Sequence, residues 1–214
     1  RQYDEAEAIL TEILQLDPLN KATINGLKIL FSEKIKSPKP DKPLPEETFM
    51  PAHIAFKNGH YNQAIEICNT LIETYPNSKL LTNLAGVAST RLGLLDQAII
   101  YYNRAIQIDP SFAVAHNNKG ASLKDKEDLE SALHSYKEAI RLEPEYAEAH
   151  SNMGAVLGSL GEHQEALKSF SKALKLKPKF PDALNNKGIV LAAIGDNEAA
   201  IEAFSTAIQL HPNY

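Results

Sequence analysis

The chain has 214 residues, 43% of them apolar, and a formal net charge of −5. Acids and bases are interleaved, which argues against a dedicated nucleic-acid surface, since such a surface is normally basic. No apolar run approaches the ~18 residues that suggest a membrane span, and the single Cys68 excludes an internal disulfide framework.

Residues 1–17 read as a helix, with Ala6, Leu10, Ile13 and Leu14 at helical spacing and Pro18 ending the segment. Residues 21–36 read as a second helix, with Ile24, Leu27 and Phe31 on one face. Prolines 38, 40, 43 and 45 then forbid a helix and favour an extended, semi-rigid connector over 38–44. That connector separates a partial unit, 1–37, from the rest of the chain.

From residue 45 a pattern recurs every 34 residues. Prolines fall at 76, 110, 144, 178 and 212, glycines at 86, 120, 154 and 188, and alanines at 64, 98, 132, 166 and 200. An aromatic follows each later alanine by four: Tyr102, Tyr136, Phe170 and Phe204. A fixed period of this length marks a stacked repeat array. The units are 45–78, 79–112, 113–146, 147–180 and 181–214.

In the first unit Pro51 predicts a short helix that starts late. His60, Tyr61 and Asn62 fall in a turn after Gly59, and Cys68 takes the aromatic position as a buried small hydrophobe. In the later units a first helix with small Gly and Ala residues leads through a turn near Gly93, Glu127, Gly161 or Gly195 to a second helix. The aromatic of the second helix is expected to fill the seam. Asp96, Asp128 and Asp196 are expected at N-cap or first-turn positions. Counted on this period, Arg1 falls in the middle of a unit and Tyr214 closes one without a polar capping helix, so the chain is expected to be part of a longer protein.

The segment Ala147-Glu148-Ala149-His150-Ser151-Asn152-Met153-Gly154, followed by Ala166, Phe170, Ala173 and Pro178, resembles a tetratricopeptide repeat. The resemblance covers nearly the whole chain. It departs from the family pattern where tryptophan is replaced by Thr82, His116, His150 or Leu184, and where the leucine before glycine is replaced by Ala85, Lys119, Met153 or Lys187. The two lysines are expected to lay their stems along the groove edge with the ammonium in water. The resemblance implies an all-α fold, a right-handed superhelix of antiparallel helix pairs. Its concave wall would be lined by the first helices and would serve protein–protein interaction.

On that wall the sixth position of each unit reads Leu84, Asn118, Asn152 and Asn186, and the fifth reads Asn83, Asn117, Ser151 and Asn185. A primary amide carries two donors and an acceptor, so it can hold both polar groups of one peptide unit without reading a side chain. The column resembles the asparagine ladder in the repeat arm of the O-linked N-acetylglucosamine transferases, which binds extended protein substrates. The same asparagines also suit a structural role, bonding a neighbouring turn or facing water. Arg91 and Lys124 form a small cationic patch above a neutral stretch of Ala155, Gly158, Ser159, Ala192 and Ala193. A lysine-and-asparagine clamp for C-terminal carboxylates, known from other members of the family, is missing. Its lysine position reads Asn83, Asn117, Ser151 and Asn185, and its asparagine position reads Val87, Ala121, Ala155 and Ile189.

No catalytic set, metal set or phosphate loop can be read, so no enzymatic activity and no cofactor are expected. His116 and His150 are expected at the core edge. The expected partner is an extended protein or peptide segment, with no nucleic acid and no membrane, in the cytoplasm. The layout also resembles proteins in which such an array precedes a glycosyl- or sulfotransferase domain. The competing expectation is self-association through the end helices, because Ile201, Phe204, Ile208 and Leu210 leave an apolar face on the last one.

Overall fold

The computed structural model describes residues 43–212. The expectations placed on 1–37, and nearly all of the proline-rich connector, lie outside the described residues. Within them the fold is all-α. In chain order the helices are α1 (Glu46–Lys57), α2 (Tyr61–Thr74), α3 (Lys79–Arg91), α4 (Leu95–Ile108), α5 (Ala113–Asp125), α6 (Leu129–Leu142), α7 (Ala147–Ser159), α8 (His163–Leu176), α9 (Pro181–Ala193) and α10 (Asn197–Leu210).

The chain divides into two compact units, and the boundary between Ser122 and Leu123 falls inside α5. In the first unit α1 packs on α2, α2 on α3 and α3 on α4, and the first helices α1 and α3 also touch. In the second unit α6, α7, α8, α9 and α10 pack each on the next, and α7 touches α9. Within each unit the helices pack on near neighbours, as expected of a repeat array.

The turn inside each helix pair has one backbone requirement. Gly59, Gly93, Gly161 and Gly195 take φ values of +78°, +75°, +79° and +83° there. Glycine adopts this left-handed conformation without steric cost. The third pair places Glu127 at the same point with φ +63°, the one non-glycine residue with positive φ among those described. The second helices then start with expected caps. The Asp128 carboxylate accepts from the Ser131 N–H at 3.2 Å and that of Asp196 from the Ala199 N–H at 3.3 Å, whereas Asp96 sits in the first turn of α4.

In three of the pairs the seam is a glycine under an aromatic ring. A Cβ on Gly86 would lie 2.6 Å from the Tyr102 ring, on Gly154 2.9 Å from Phe170, and on Gly188 2.6 Å from Phe204. Tyr102 and Phe170 are fully buried. In the first unit Ala52, Ala64, Ile65, Ile72 and Leu81 join one core with Cys68, where the aromatic is absent and burial pushes the thiol up to about 12. In the second, Leu157, Ala166, Phe170, Phe180 and Val190 form the corresponding core.

Two local expectations change. Pro51 does not open a short, late helix: α1 begins at Glu46, behind Pro45, and carries Pro51 in its interior. The Thr48 and Phe49 N–H groups bond the Pro45 carbonyl at 3.1 and 3.2 Å, so the helix is nucleated before the proline and continues through it. Tyr61 and Asn62 belong to α2 rather than to the turn, because His60 already serves as its N-cap.

Candidate functional site

The first helices carry the candidate residues: Asn83 and Arg91 on α3, Asn117, Asn118 and Lys124 on α5, Asn152 on α7, and Asn185 and Asn186 on α9. In the first unit Asn83 is half-buried on α3 and Leu84, one position on, is buried. On α5 Asn117 is buried and Asn118 half-buried. The three amides form a chain. The Asn118 Nδ2 donates to Asn83 Oδ1 at 3.1 Å, and the Asn117 Nδ2 donates to Asn118 Oδ1 at 3.5 Å. Asn118 thus ties α5 to α3. These bonds use one donor and one acceptor site of Asn118 and leave a second of each.

Next to this chain lies a buried hydroxyl network that sequence reasoning missed. The Thr90 Oγ1 is 3.0 Å from the Tyr102 Oη and 2.9 Å from the Ser122 Oγ. Burial pushes the Tyr102 phenol up to about 12, against the smaller opposing effect of these bonds. The signal was available: this pair alone combines a tyrosine with hydroxyls at both flanking repeat positions. Arg104, also missed, is 1% exposed and donates from Nη2 to the Pro76 carbonyl at 3.3 Å. Nothing in the repeat pattern marks it.

In the second unit Asn152 on α7 and Asn185 and Asn186 on α9 are half-buried. Asn152 takes part in a further interaction of its own. Ser151 is buried, so it contributes little to an exposed row. Beyond the amides the face continues through half-buried Ala155 and Gly158 on α7 and exposed Ile189, Ala192 and Ala193 on α9. Asn118 belongs to the first unit and Asn152 and Asn186 to the second, so each unit presents its own amides.

Arg91 and Lys124 likewise fall in different units. Arg91 is exposed at the end of α3. The Lys124 Nζ lies 3.2 Å from Oδ1 of its neighbour Asp125. An exposed pair of this kind contributes little to stability. Lys119 is half-buried, and desolvation lowers its pKa below the ordinary lysine range. His150 is buried, with Nε2 3.0 Å from the Pro144 carbonyl, and His116 is half-buried. Among the described residues no group of three His, Cys, Asp or Glu side chains could hold a metal ion, and no helix is long and apolar enough to cross a membrane.

Family models match much of the chain: tetratricopeptide repeat models over 49–111 and over 147–180 and 181–214, and a TPR repeat model over 120–161. No curated protein matches the sequence significantly. Among solved structures, MamA from Desulfovibrio magneticus RS-1 is 17% identical with a TM-score of 0.68, over 79% of this chain and 98% of that one. YrrB, described as a TPR protein with an unusual peptide-binding site, is 21% identical with a TM-score of 0.61, over 86% and 93%. PilF of Pseudomonas aeruginosa is 21% identical with a TM-score of 0.70, over 77% and 75%. These likenesses show an α-solenoid fold.

Proposed function

Because the chain belongs to the tetratricopeptide repeat family, we propose that it is a protein-interaction module holding an extended partner segment against its first helices. The observation that carries this reading is the placement of half-buried amides on those helices: Asn83 and Asn118 in the first unit, Asn152 and Asn186 in the second. An amide at the edge of water exchanges its solvent bonds for bonds to a peptide unit, each worth about 1 kcal/mol net. Successive bonds of that size add to useful affinity while leaving the partner's side chains free. The likeness to YrrB supports a peptide as the ligand class, and the resemblance of the asparagine column to a transferase arm supports an extended one. On this reading the chain recruits and any chemistry belongs elsewhere.

The test is a peptide-array screen of the parent and of the Asn118→Ala/Asn152→Ala/Asn186→Ala variant, with circular dichroism to establish that both fold. The expected result is binding of extended peptides by the parent and a loss of at least about tenfold in the variant. Equal binding by the variant would make the amides structural.

A second reading, self-association, is favoured by one feature. Ile201 and Ile208, seven residues apart on α10, are 66% and 52% exposed, and Ile194 at the end of α9 is 41% exposed. Sedimentation across a wide concentration range tests it: a rising mass supports stacking of copies, and a constant monomer mass rejects it.

A further inference from the structure

The second helix of the fourth pair, α8, carries a charge pattern that holding a partner on the first helices does not require. Residues 166–180 hold five lysines and none of the chain's 27 acids. Lys168, Lys172 and Lys175 follow one another at spacings of four and three, which puts them in one stripe, on the side of α8 away from the buried Ala166, Phe170 and Ala173. All three are exposed, and so is Lys179 just beyond the helix. Lys168 pairs with Glu165 at 2.6 Å, whereas Lys172, Lys175 and Lys179 make no ion pair among the described residues. Like charges at these spacings destabilise a helix. The neighbouring second helices avoid them. At the positions of Lys172 and Lys175, one period earlier, Glu138 and Arg141 pair at 2.9 Å, and one period later stand the uncharged Thr206 and Gln209.

We propose that the lysine stripe of α8 is a second interaction surface, separate from the amides, and that its partner is an acidic protein segment carrying carboxylates at alternate residues of an extended chain. Along α8 the rise from Lys168 to Lys172 is about 6 Å and from Lys172 to Lys175 about 4.5 Å. Alternate residues of an extended chain lie about 6.6 Å apart and point the same way. The flexible lysine stems take up the difference, and each ammonium brings three donors to a carboxylate. The narrowness of the stripe selects this partner over a broad polyanion. α6 and α10 place Glu138 and Glu202 at the positions equivalent to Lys172 and Lys168. A membrane surface or a nucleic-acid duplex spanning several helices would meet those acids as well as the lysines, while a single strand of protein follows α8 alone. Single-stranded nucleic acid is held by exposed aromatic rings among the cations, and the aromatics of this segment, Phe170 and Phe180, are buried.

The experiment titrates the full chain, by fluorescence anisotropy, with a dodecapeptide alternating glutamate and serine and with its counterpart alternating glutamine and serine. Three proteins are compared, each with its helicity measured: the parent, Lys172→Glu, and Lys57→Glu, which makes the same change of net charge at an exposed lysine of the first unit. The parent is expected to bind the glutamate peptide at least about tenfold more tightly than the glutamine peptide at low salt, and to lose that preference as salt is raised. Lys172→Glu is expected to weaken the glutamate peptide by at least about fivefold, and Lys57→Glu by less than about twofold. If the parent binds the two peptides alike, or if the two variants weaken binding equally, the stripe is not the site and the proposal falls. Phosphatidylserine vesicles and a short DNA duplex are titrated alongside. Tighter binding of either than of the glutamate peptide, lost in Lys172→Glu, would assign the stripe to a different polyanion and overturn the acidic segment as its partner.

Discussion

Two tyrosines at equivalent repeat positions have opposite surroundings, and removing the hydroxyl from each should move stability in opposite directions. The Tyr102 hydroxyl is satisfied by Thr90, which also bonds Ser122. The Tyr136 hydroxyl is buried with no hydrogen-bond partner. The repeat explains the difference: the residues at the Thr90 and Ser122 positions, one period on, are Lys124 and Val156. Burial, and then the nearby Asp125 carboxylate, push the Tyr136 phenol far above its ordinary range. A satisfied hydrogen bond contributes about 1 kcal/mol, whereas an unsatisfied buried hydroxyl costs about 1–3 kcal/mol. Tyr102→Phe should therefore destabilise by about 1 kcal/mol, and Tyr136→Phe should stabilise by about 1 kcal/mol. Phenylalanine already fills this seam at Phe170, so the ring needs no repacking. Thermal melts followed by circular dichroism should separate the variants by several degrees, taking about 2–4 °C per kcal/mol for a chain of this size. A Tyr136→Phe protein that melts below the parent would refute the argument.

The remaining predictions concern backbone, packing and charge. Glu127→Gly should stabilise by about 0.5–1 kcal/mol in urea denaturation, because it places glycine at the positive φ that the other turns reserve for it. Gly154→Ala should destabilise by about 1–2 kcal/mol: overpacking against Phe170 exceeds the helix-propensity gain of about 1 kcal/mol. Asp109 accepts from Lys79 at 2.5 Å and from the Ser111 hydroxyl and N–H at 2.6 and 2.9 Å. These bonds hold its pKa near 2, below the ordinary 3.8. A depressed carboxylate stabilises the fold above its unfolded pKa, so its contribution should be lost as pH falls from about 4 to about 2. Asp109→Asn should flatten the stability profile in that window, and an unchanged acid slope would exclude Asp109 as its source.

The period made the helix pairs, the turn glycines and the aromatic seam legible, because each of these is a backbone or volume requirement repeated in most of the units. The caps at Asp128 and Asp196 were readable for the same reason. Pro51 was not, since a proline's effect depends on whether the helix is already nucleated upstream, here by the bonds to the Pro45 carbonyl. The partners of individual polar groups were not legible either. A column of asparagines reads the same whether its members face a ligand or, like Asn117, Asn118 and Asn83, first bond one another. Lys119 shows the same limit: the pattern places its Cα, but neighbouring side chains decide how much water reaches its ammonium.

The most direct test of the central claim is the affinity of extended peptides for the parent against the Asn118→Ala/Asn152→Ala/Asn186→Ala protein, measured on samples of equal helicity. Loss of at least about tenfold, largely indifferent to peptide sequence, is the predicted result. Undiminished binding by the folded variant would contradict it.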